Sequence, residues 1–416
     1  MIVALLVLYA VPIISFLFGI VGLWKDPSRW RRYLPMCINF VFVCAYSYIP
    51  DIGSNEDLIR YFSEIEFYGT LPLEEALSHA GGVLLSHYFY FWLFGSMNMM
   101  HLIPAISTST VYAVAGYITC DTAERYNSKQ YIVVVFLFQL IMLPFCSLIN
   151  NVRNVFALSL IILAVYLDVI KGKRNFFVWF CYTFGSLLHL TAFTLIIFRV
   201  FSVLGKKYFG AIVLSQLFFA IIASKIYEWG SVLFFDGAIG VSFATIIRKL
   251  GNYLYNIKTP GASKYLSLPW SDPTIIFRLL TVMMVAFTVL IIYNVLRTNN
   301  NWNSWFRDDH RYYAFVGMIG VTTIMLHFLF YTPNYWRFGS AVIVTIGMLL
   351  IPMFCYYRQL TLFPKMLLYG NFLVLPIMFW VQFIFFRRLT NFSDWIMEAF
   401  TTNYMTILID LVNSGI

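Results

Sequence analysis

Charge is what this chain has least of: Asp, Glu, Lys and Arg make up 11% of its 416 residues, where a soluble protein carries about 25%. Polar surface that sparse cannot coat a soluble core. Hydrophobic and aromatic contents of 61% and 19% point the same way, since soluble chains are about 45–50% apolar. Catalytic signatures are missing too. There is no Gly-rich phosphate loop, no H-E-x-x-H and no G-x-S-x-G, which removes the signatures of P-loop, zincin and α/β-hydrolase chemistry. Six cysteines occur, none at metal-ligand spacing. Cys37, Cys44, Cys146, Cys181 and Cys355 fall in or beside apolar runs and Cys120 closes another, so they read as small apolar residues without a disulfide framework. No internal repeat, low-complexity tract or soluble domain is visible.

What is present is a series of long apolar runs, with a mean hydropathy of +0.77. A membrane span needs about 20 predominantly apolar residues. Spans are expected near 2–24, 34–49, 102–119, 130–147, 154–170, 176–188, 190–204, 209–224, 274–296, 312–330, 338–356 and 366–386, twelve helices in one membrane domain over 1–416. Met1 to Trp24 lacks a basic leader and a small-residue cleavage site and reads as a retained first helix. Runs 176–188 and 190–204 are short, as expected of half-helices meeting at His189 within the membrane.

The net charge of +9 would ordinarily raise nucleic acid as a partner. Here, however, sixteen of the 28 Lys and Arg lie in the loops 25–33, 120–129, 171–174, 205–207, 297–311 and 358–365. That clustering is an orientation signal and places these loops inside the cell; no nucleic-acid partner is expected. The opposite loops and both termini are then extracytoplasmic, although Lys225, Arg248, Lys249, Lys258, Lys264 and the Arg387–Arg388 pair also fall outside. Segment 50–101 opens on an acidic stretch and ends in an aromatic run near 83–97. If that run spanned, the Lys171–Arg174 turn would face outward, so it reads as an interfacial or re-entrant helix with its rings at headgroup depth. Segments 50–101 and 225–272 form an outer cap, the latter carrying a short amphipathic piece around Arg248.

Polar groups at the outer boundary are the candidates for chemistry. Arg153 follows Asn150 and Asn151 at the head of a span. A charge there is costly unless it is paired or faces a wet cavity, so it reads as functional ahead of a snorkelling anchor. Arg337 heads another span, and two guanidinium forks converging from different hairpins could grip a diphosphate. Arg278, one turn into its span, is a third phosphate candidate, with snorkelling the plainer reading. His189, in L-L-H-L-T, could take a proton from a sugar hydroxyl or donate to a phosphate. His327 reads as a packing residue. Outside the second span lie Asp51, Glu56, Asp57, Arg60 and Tyr61. They partly match a calcium loop but lack its closing Glu; they could be a solvated acidic loop, or Asp51 could serve as a base on an acceptor hydroxyl.

The layout of an outer acidic/Tyr stretch, N-x-x-R-x-x-x-A at the head of a span (Asn150, Arg153, Ala157), a basic turn, an aromatic run ending in L-H-x-T and a later Arg337 resembles Wzy-type polysaccharide polymerases, closest to their EpsG-like branch. Many members carry Gln after the Arg, where this chain has Asn154. The resemblance implies an all-α, GT-C-like bacterial inner-membrane protein with an outward-facing cavity. Such proteins move a growing glycan from undecaprenyl diphosphate to the non-reducing end of a lipid-linked repeat unit, without metal or cofactor. Arg153, Arg337 and Arg278 would bind diphosphate, His189 and Asp51 would be catalytic, and Asn150, Asp57, Arg60, Tyr61 and Arg248 would contact substrate. Implied partners are undecaprenyl-diphosphate-linked oligosaccharides, membrane lipids and a chain-length regulator protein. Of the other classes, a lipid-linked oligosaccharide flippase would need polar groups through the middle and at both ends, whereas an O-antigen ligase would differ only in acceptor; a membrane acyltransferase is a third alternative.

Overall fold

The computed structural model describes residues 11–48, 57–80, 84–205, 209–216, 273–297, 304–328, 335–389 and 392–414. Among them every regular element is a helix. The first pair, α1 (Pro12–Lys25) and α2 (Trp30–Tyr46), forms an antiparallel hairpin. Three short helices follow, α3 (Asp57–Gly69), α4 (Leu73–Ser78) and α5 (Leu85–Ser96), and then the long α6 (Leu102–Arg125). Next come α7 (Ile132–Met142), α8 (Phe145–Ile149) and α9 (Asn154–Val169). The pair α10 (Phe176–Leu188) and α11 (Leu190–Phe201) precedes helical residues 209–216. The second half holds α12 (Pro273–Arg297), α13 (Ser304–Phe328), α14 (Tyr335–Thr345), α15 (Gly347–Cys355), α16 (Leu362–Leu373) and α17 (Leu375–Leu389). It ends in α18 (Phe392–Thr401) and α19 (Tyr404–Ser414).

Three stretches among the described residues are long and apolar enough to cross a membrane: Leu102–Arg125, Pro273–Asn294 and Leu362–Ile384. A fourth forms if the pair Trp336–Thr345 and Gly347–Cys355, bent by 41°, counts as one broken span. These are the features of a helical membrane protein. Several expected spans are corrected. Run 130–147 is two helices, because Pro144 cannot continue the chain of amide donors and Leu143 is extended. Run 312–330 begins earlier, at Ser304, and 366–386 is a pair that meets at Val374. The aromatic run 83–97 is the twelve-residue α5, about 18 Å long against a bilayer core of about 30 Å. Two further helices, α18 and α19, lie beyond the last expected span, and Trp395 on α18 donates its indole N–H to the Cys44 carbonyl at 3.0 Å. The cap segment 225–272 lies outside the described residues, as do 2–10 and 217–224.

Helix α9 is the axis of the packing. Thirteen of its 16 residues are buried, as expected of a helix that is apolar all round. It lies against α6, α10, α11, α13 and α14. Close approach needs small residues at two crossings. A Cβ on Gly347 would fall 2.1 Å from Thr119 Oγ1 of α6, and one on Gly69 would fall 2.3 Å from the Gly95 backbone, where α3 crosses α5.

The bundle has two chemically different ends. At one, Asp121 accepts from Lys171 at 2.9 Å and from the Tyr166 hydroxyl at 2.6 Å. Arg125 pairs with Asp309 at 3.0 Å, Arg199 with Asp168 at 2.6 Å and Arg31 with Glu124 at 2.8 Å. These contacts gather loops 25–33, 120–129, 171–174 and 297–311 at one end, joined there by Cys355 against the Tyr126 carbonyl. The pairs tie separate elements together, and removing Arg125 or Lys171 would strand the buried carboxylate of Asp309 or Asp121. The heads of α9, α11 and α14 lie at the other end.

Gly347→Leu is expected to destabilise the protein by about 1–3 kcal/mol through overpacking against α6, whereas Gly210→Ala, which meets nothing within 4 Å, should be neutral. Denaturant titration of both variants in detergent, followed by tryptophan fluorescence, checks this; equal stability of the two would refute the tight crossing.

Candidate functional site

The site is built on five residues, Asn150 to Asn154, that turn the chain from α8 into α9. Pro144 starts a helix of only five residues, and Asn150 ends it, with its backbone N–H bonded to the Cys146 carbonyl at 3.1 Å. Each polar side chain of the turn then reaches a different element. The Asn150 amide nitrogen donates to the Cys146 carbonyl at 3.0 Å, and its oxygen accepts from the Leu58 N–H at 3.3 Å, pinning α3 to the turn. The Asn151 oxygen accepts from Arg337 Nη2 at 2.7 Å. Val152 is fully buried and anchors the turn.

Arg153 turns toward α3 and α5. Its Nη1 donates to His87 Nε2 at 2.9 Å and its Nη2 to the Tyr61 hydroxyl at 3.4 Å. Its guanidinium lies 4.7 Å from the Tyr61 ring centre and 5.9 Å from that of Phe91, a cation–π setting. His87 is 2% exposed and Tyr61 5%, so the cation sits in an aromatic enclosure. Among the described residues no carboxylate pairs with Arg153, and its Nε is buried with no hydrogen-bond acceptor. A guanidinium only donates, so neutral His87 accepts at Nε2 and carries its proton on Nδ1.

Arg337 turns toward the other side of the same turn, where Asn154 mediates. The Asn154 amide is assigned from its hydrogen bonds. Its oxygen accepts from Arg337 Nη1 at 2.6 Å and Nε at 3.1 Å, and its nitrogen donates to Thr191 Oγ1 at 2.5 Å and His189 Nδ1 at 3.0 Å. His189 is the break between α10 and α11, with φ −154° and ψ 133°, and caps α11 by accepting the Thr191 N–H at Nδ1, 3.1 Å away. A backbone N–H can only donate. The neutral His189 ring therefore has its proton on Nε2, where it is a hydrogen-bond donor and not a base.

Five helices begin at this site. The residues bonded in the network, Leu58, His87, Asn154, Thr191 and Arg337, lie in the first turns of α3, α5, α9, α11 and α14. Helix N-termini carry partial positive charge and unpaired amide donors. Their field adds to that of Arg153 and Arg337, so the region attracts anions. Arg278 is placed differently from a snorkelling anchor: its Nε donates to His327 Nδ1 at 2.8 Å and its Nη2 to the His327 carbonyl at 3.3 Å. His327 is accordingly more than a packing residue.

Of the residues singled out from sequence, Asn150, Arg153, Tyr61, Arg337 and His189 are brought into one network. Asp57 and Arg60 pair with each other at 3.1 Å on the outer side of α3, and Arg60 also reaches Glu64 at 3.5 Å. Asp51 and Arg248 lie outside the described residues. The network adds His87, Asn151, Asn154 and Thr191. The signal for the amides was the density of Asn at a helix head, three in five residues; His87, inside an aromatic run, left none. On α3, burial together with the nearby Tyr88 phenol and Glu64 carboxylate pushes the Tyr68 phenol up to about 12, so Tyr68 remains a neutral donor at physiological pH.

Asn154→Asp should fold normally while setting a carboxylate against Arg337. Affinity for farnesyl diphosphate, measured by isothermal titration, is expected to fall by about 10- to 100-fold, the worth of one hydrogen bond to a charged group. Unchanged affinity would remove Arg337 from the anion site.

Comparison with known proteins adds no relative: no protein-family model matches the chain, and neither a curated protein nor a solved structure does.

Proposed function

We propose that the chain is a polysaccharide polymerase of the bacterial inner membrane. It would transfer a growing glycan from undecaprenyl diphosphate to the non-reducing end of a lipid-linked repeat unit. The resemblance to Wzy-type polymerases supports this, as does an all-helical fold with apolar helices long enough to cross a membrane; a twelve-span, GT-C-like layout with the site on the extracytoplasmic side is part of the same proposal. The observation that carries it is Arg153, an enclosed cation whose partners are neutral. Such a group is held ready for an anion that arrives from outside the protein.

In this reaction the bond between the anomeric carbon and the diphosphate oxygen breaks, and the electron pair leaves with the diphosphate. The acceptor hydroxyl oxygen bonds to the anomeric carbon and releases its proton. Charge therefore develops on the leaving oxygen, and donors already aimed at it in a site with little water are the main means of lowering the barrier. Arg153 and Arg337 are such donors, placed on either side of one turn, and the first amides of α9 and α11 add to their field. His189 joins them as an Nε2–H donor. Base assistance to the acceptor, typically about 10²–10⁴-fold, falls to another group, for which Asp51 is the candidate. An O-antigen ligase would use the same donor chemistry with a different acceptor. A flippase is disfavoured: at the opposite end the carboxylates of Asp121, Asp168 and Asp309 are tied in ion pairs.

Purified protein incubated with one defined lipid-linked repeat unit should give a ladder of products, and Arg153→Ala should abolish it while leaving the protein folded. A single transfer only to an added lipid A core would indicate a ligase. No product from the wild type, or a normal ladder from Arg153→Ala, would overturn the proposal.

A further inference from the structure

Helices α3 and α5 cross at Gly69 and Gly95 with their backbones in contact, which brings the aromatic side chains of both helices side by side. The rings make a continuous series. From Tyr61, over which Arg153 sits, it passes to Phe91 at 5.9 Å, to His87 at 4.3 Å, to Tyr88 at 4.6 Å, to Tyr68 at 5.1 Å and to His79 at 5.7 Å between ring centres. Burial falls along it. Tyr61, Phe91 and His87 are buried, Tyr68 and Tyr88 are half-buried, and His79 is exposed. The series therefore runs from the enclosed cation to the outer surface of the cap. The exposed half is edged by polar groups, with Glu64 and Arg60 on the same helix as Tyr68.

Two requirements of a bound sugar are met together here. A pyranose ring has an apolar C–H face that packs against an aromatic ring, and a rim of hydroxyls that need acceptors and donors in fixed positions. The phenols of Tyr68 and Tyr88, the Glu64 carboxylate and the Arg60 fork supply the second beside the first. Interfacial anchoring by a belt of Tyr and Trp explains single rings at headgroup depth. It does not explain a ring-to-ring series that ends on a half-buried arginine.

We propose that the α3–α5 hairpin is an oligosaccharide-binding surface, on which pyranose units lie along Tyr88, Tyr68 and His79 while the reducing-end diphosphate reaches Arg153. The surface deepens the polymerase reading and rests on it for the diphosphate. Its carbohydrate part stands independently, because stacking on these rings requires neither lipid nor phosphate. A glycan held along the hairpin has its reducing end directed inward, which fixes the polarity in which the chain enters the site.

The test uses the full chain in nanodiscs and a panel of free, lipid-less oligosaccharides built from neutral hexoses, N-acetylhexosamines and uronic acids, read by saturation-transfer NMR. Wild type is expected to bind at least one class, and Tyr68→Ala and Tyr88→Ala to weaken it by about 2- to 10-fold each, the worth of one aromatic contact. Tyr68→Trp, which keeps a ring, should retain binding and guards against a folding defect in the alanine variants. Arg29→Ala, in an exposed ion pair at the opposite end of the bundle, should leave free-glycan binding intact. Absence of binding by the wild type, or equal binding by the Tyr68→Ala/Tyr88→Ala double variant with an unchanged melting temperature, would overturn the inference. Either outcome is separate from polymerisation: glycan binding without a product ladder would sink the polymerase and keep the surface, and a ladder without Tyr68 or Tyr88 dependence would do the reverse.

Discussion

A cation enclosed among rings and neutral hydrogen-bond partners is the constraint around which the site end of this protein is organised. Arg153 heads α9, the most enclosed helix of the bundle, and is itself half-buried, with its Nε shut away from solvent. Its charge adds to that of the helix end and to that of Arg337, two residues of the same turn away through Asn151. Like charges so arranged repel, and the structure holds them with amides: three asparagines in five residues distribute hydrogen bonds to α3, α11 and α14. The opposite end solves the same problem by different means. There, aspartates meet lysine and arginine directly, and the charge is cancelled within the protein. The contrast between aspartates paired with cations at one end and an arginine held by neutral partners at the other distinguishes the two ends.

Amides have a second consequence. Because Asn154 and the Thr191 N–H both donate to His189 Nδ1, the ring is fixed in one tautomer and its remaining nitrogen is a donor. Histidine at a helix break in an apolar setting suggested a base or a donor from sequence, and only the hydrogen-bond geometry separates the two. The same reasoning fixes His87, whose Nε2 accepts from Arg153. The acceptors described for Arg153 and Arg337 are thus neutral, so an arriving phosphate offers them strong charge-assisted bonds.

Much of the framework was legible in the sequence because hydropathy and helix breaks are local. Residues 176–188 match α10, and the break at His189 was visible as two short apolar runs around one polar residue. Arg153, Arg337 and Tyr61 stood out because charge and phenol are rare at span boundaries. What escaped was set by tertiary contact. His87 lies in an aromatic run whose periodicity says nothing about its partner, and Asn151 and Asn154 acquire their roles through Arg337, more than 180 residues away in the chain, and, for Asn154, through Thr191 and His189. Helices α18 and α19 were missed because amphipathic ten- and eleven-residue segments fall below the length that marks a span. The break of α7 from α8 at Pro144 was hidden inside a run that was uniformly apolar.

The most direct measurement is the thermal stabilisation of the protein by polyprenyl diphosphate compared with the matching polyprenol, for wild type and Arg153→Lys. Diphosphate is expected to raise the melting temperature of the wild type well above any effect of the alcohol, by linkage of binding to folding. Lysine keeps the charge but loses the planar fork, so most of that increment should vanish in the variant. Equal stabilisation by diphosphate and alcohol, or an undiminished diphosphate increment in Arg153→Lys, would contradict a phosphate-gripping role for the enclosed arginine.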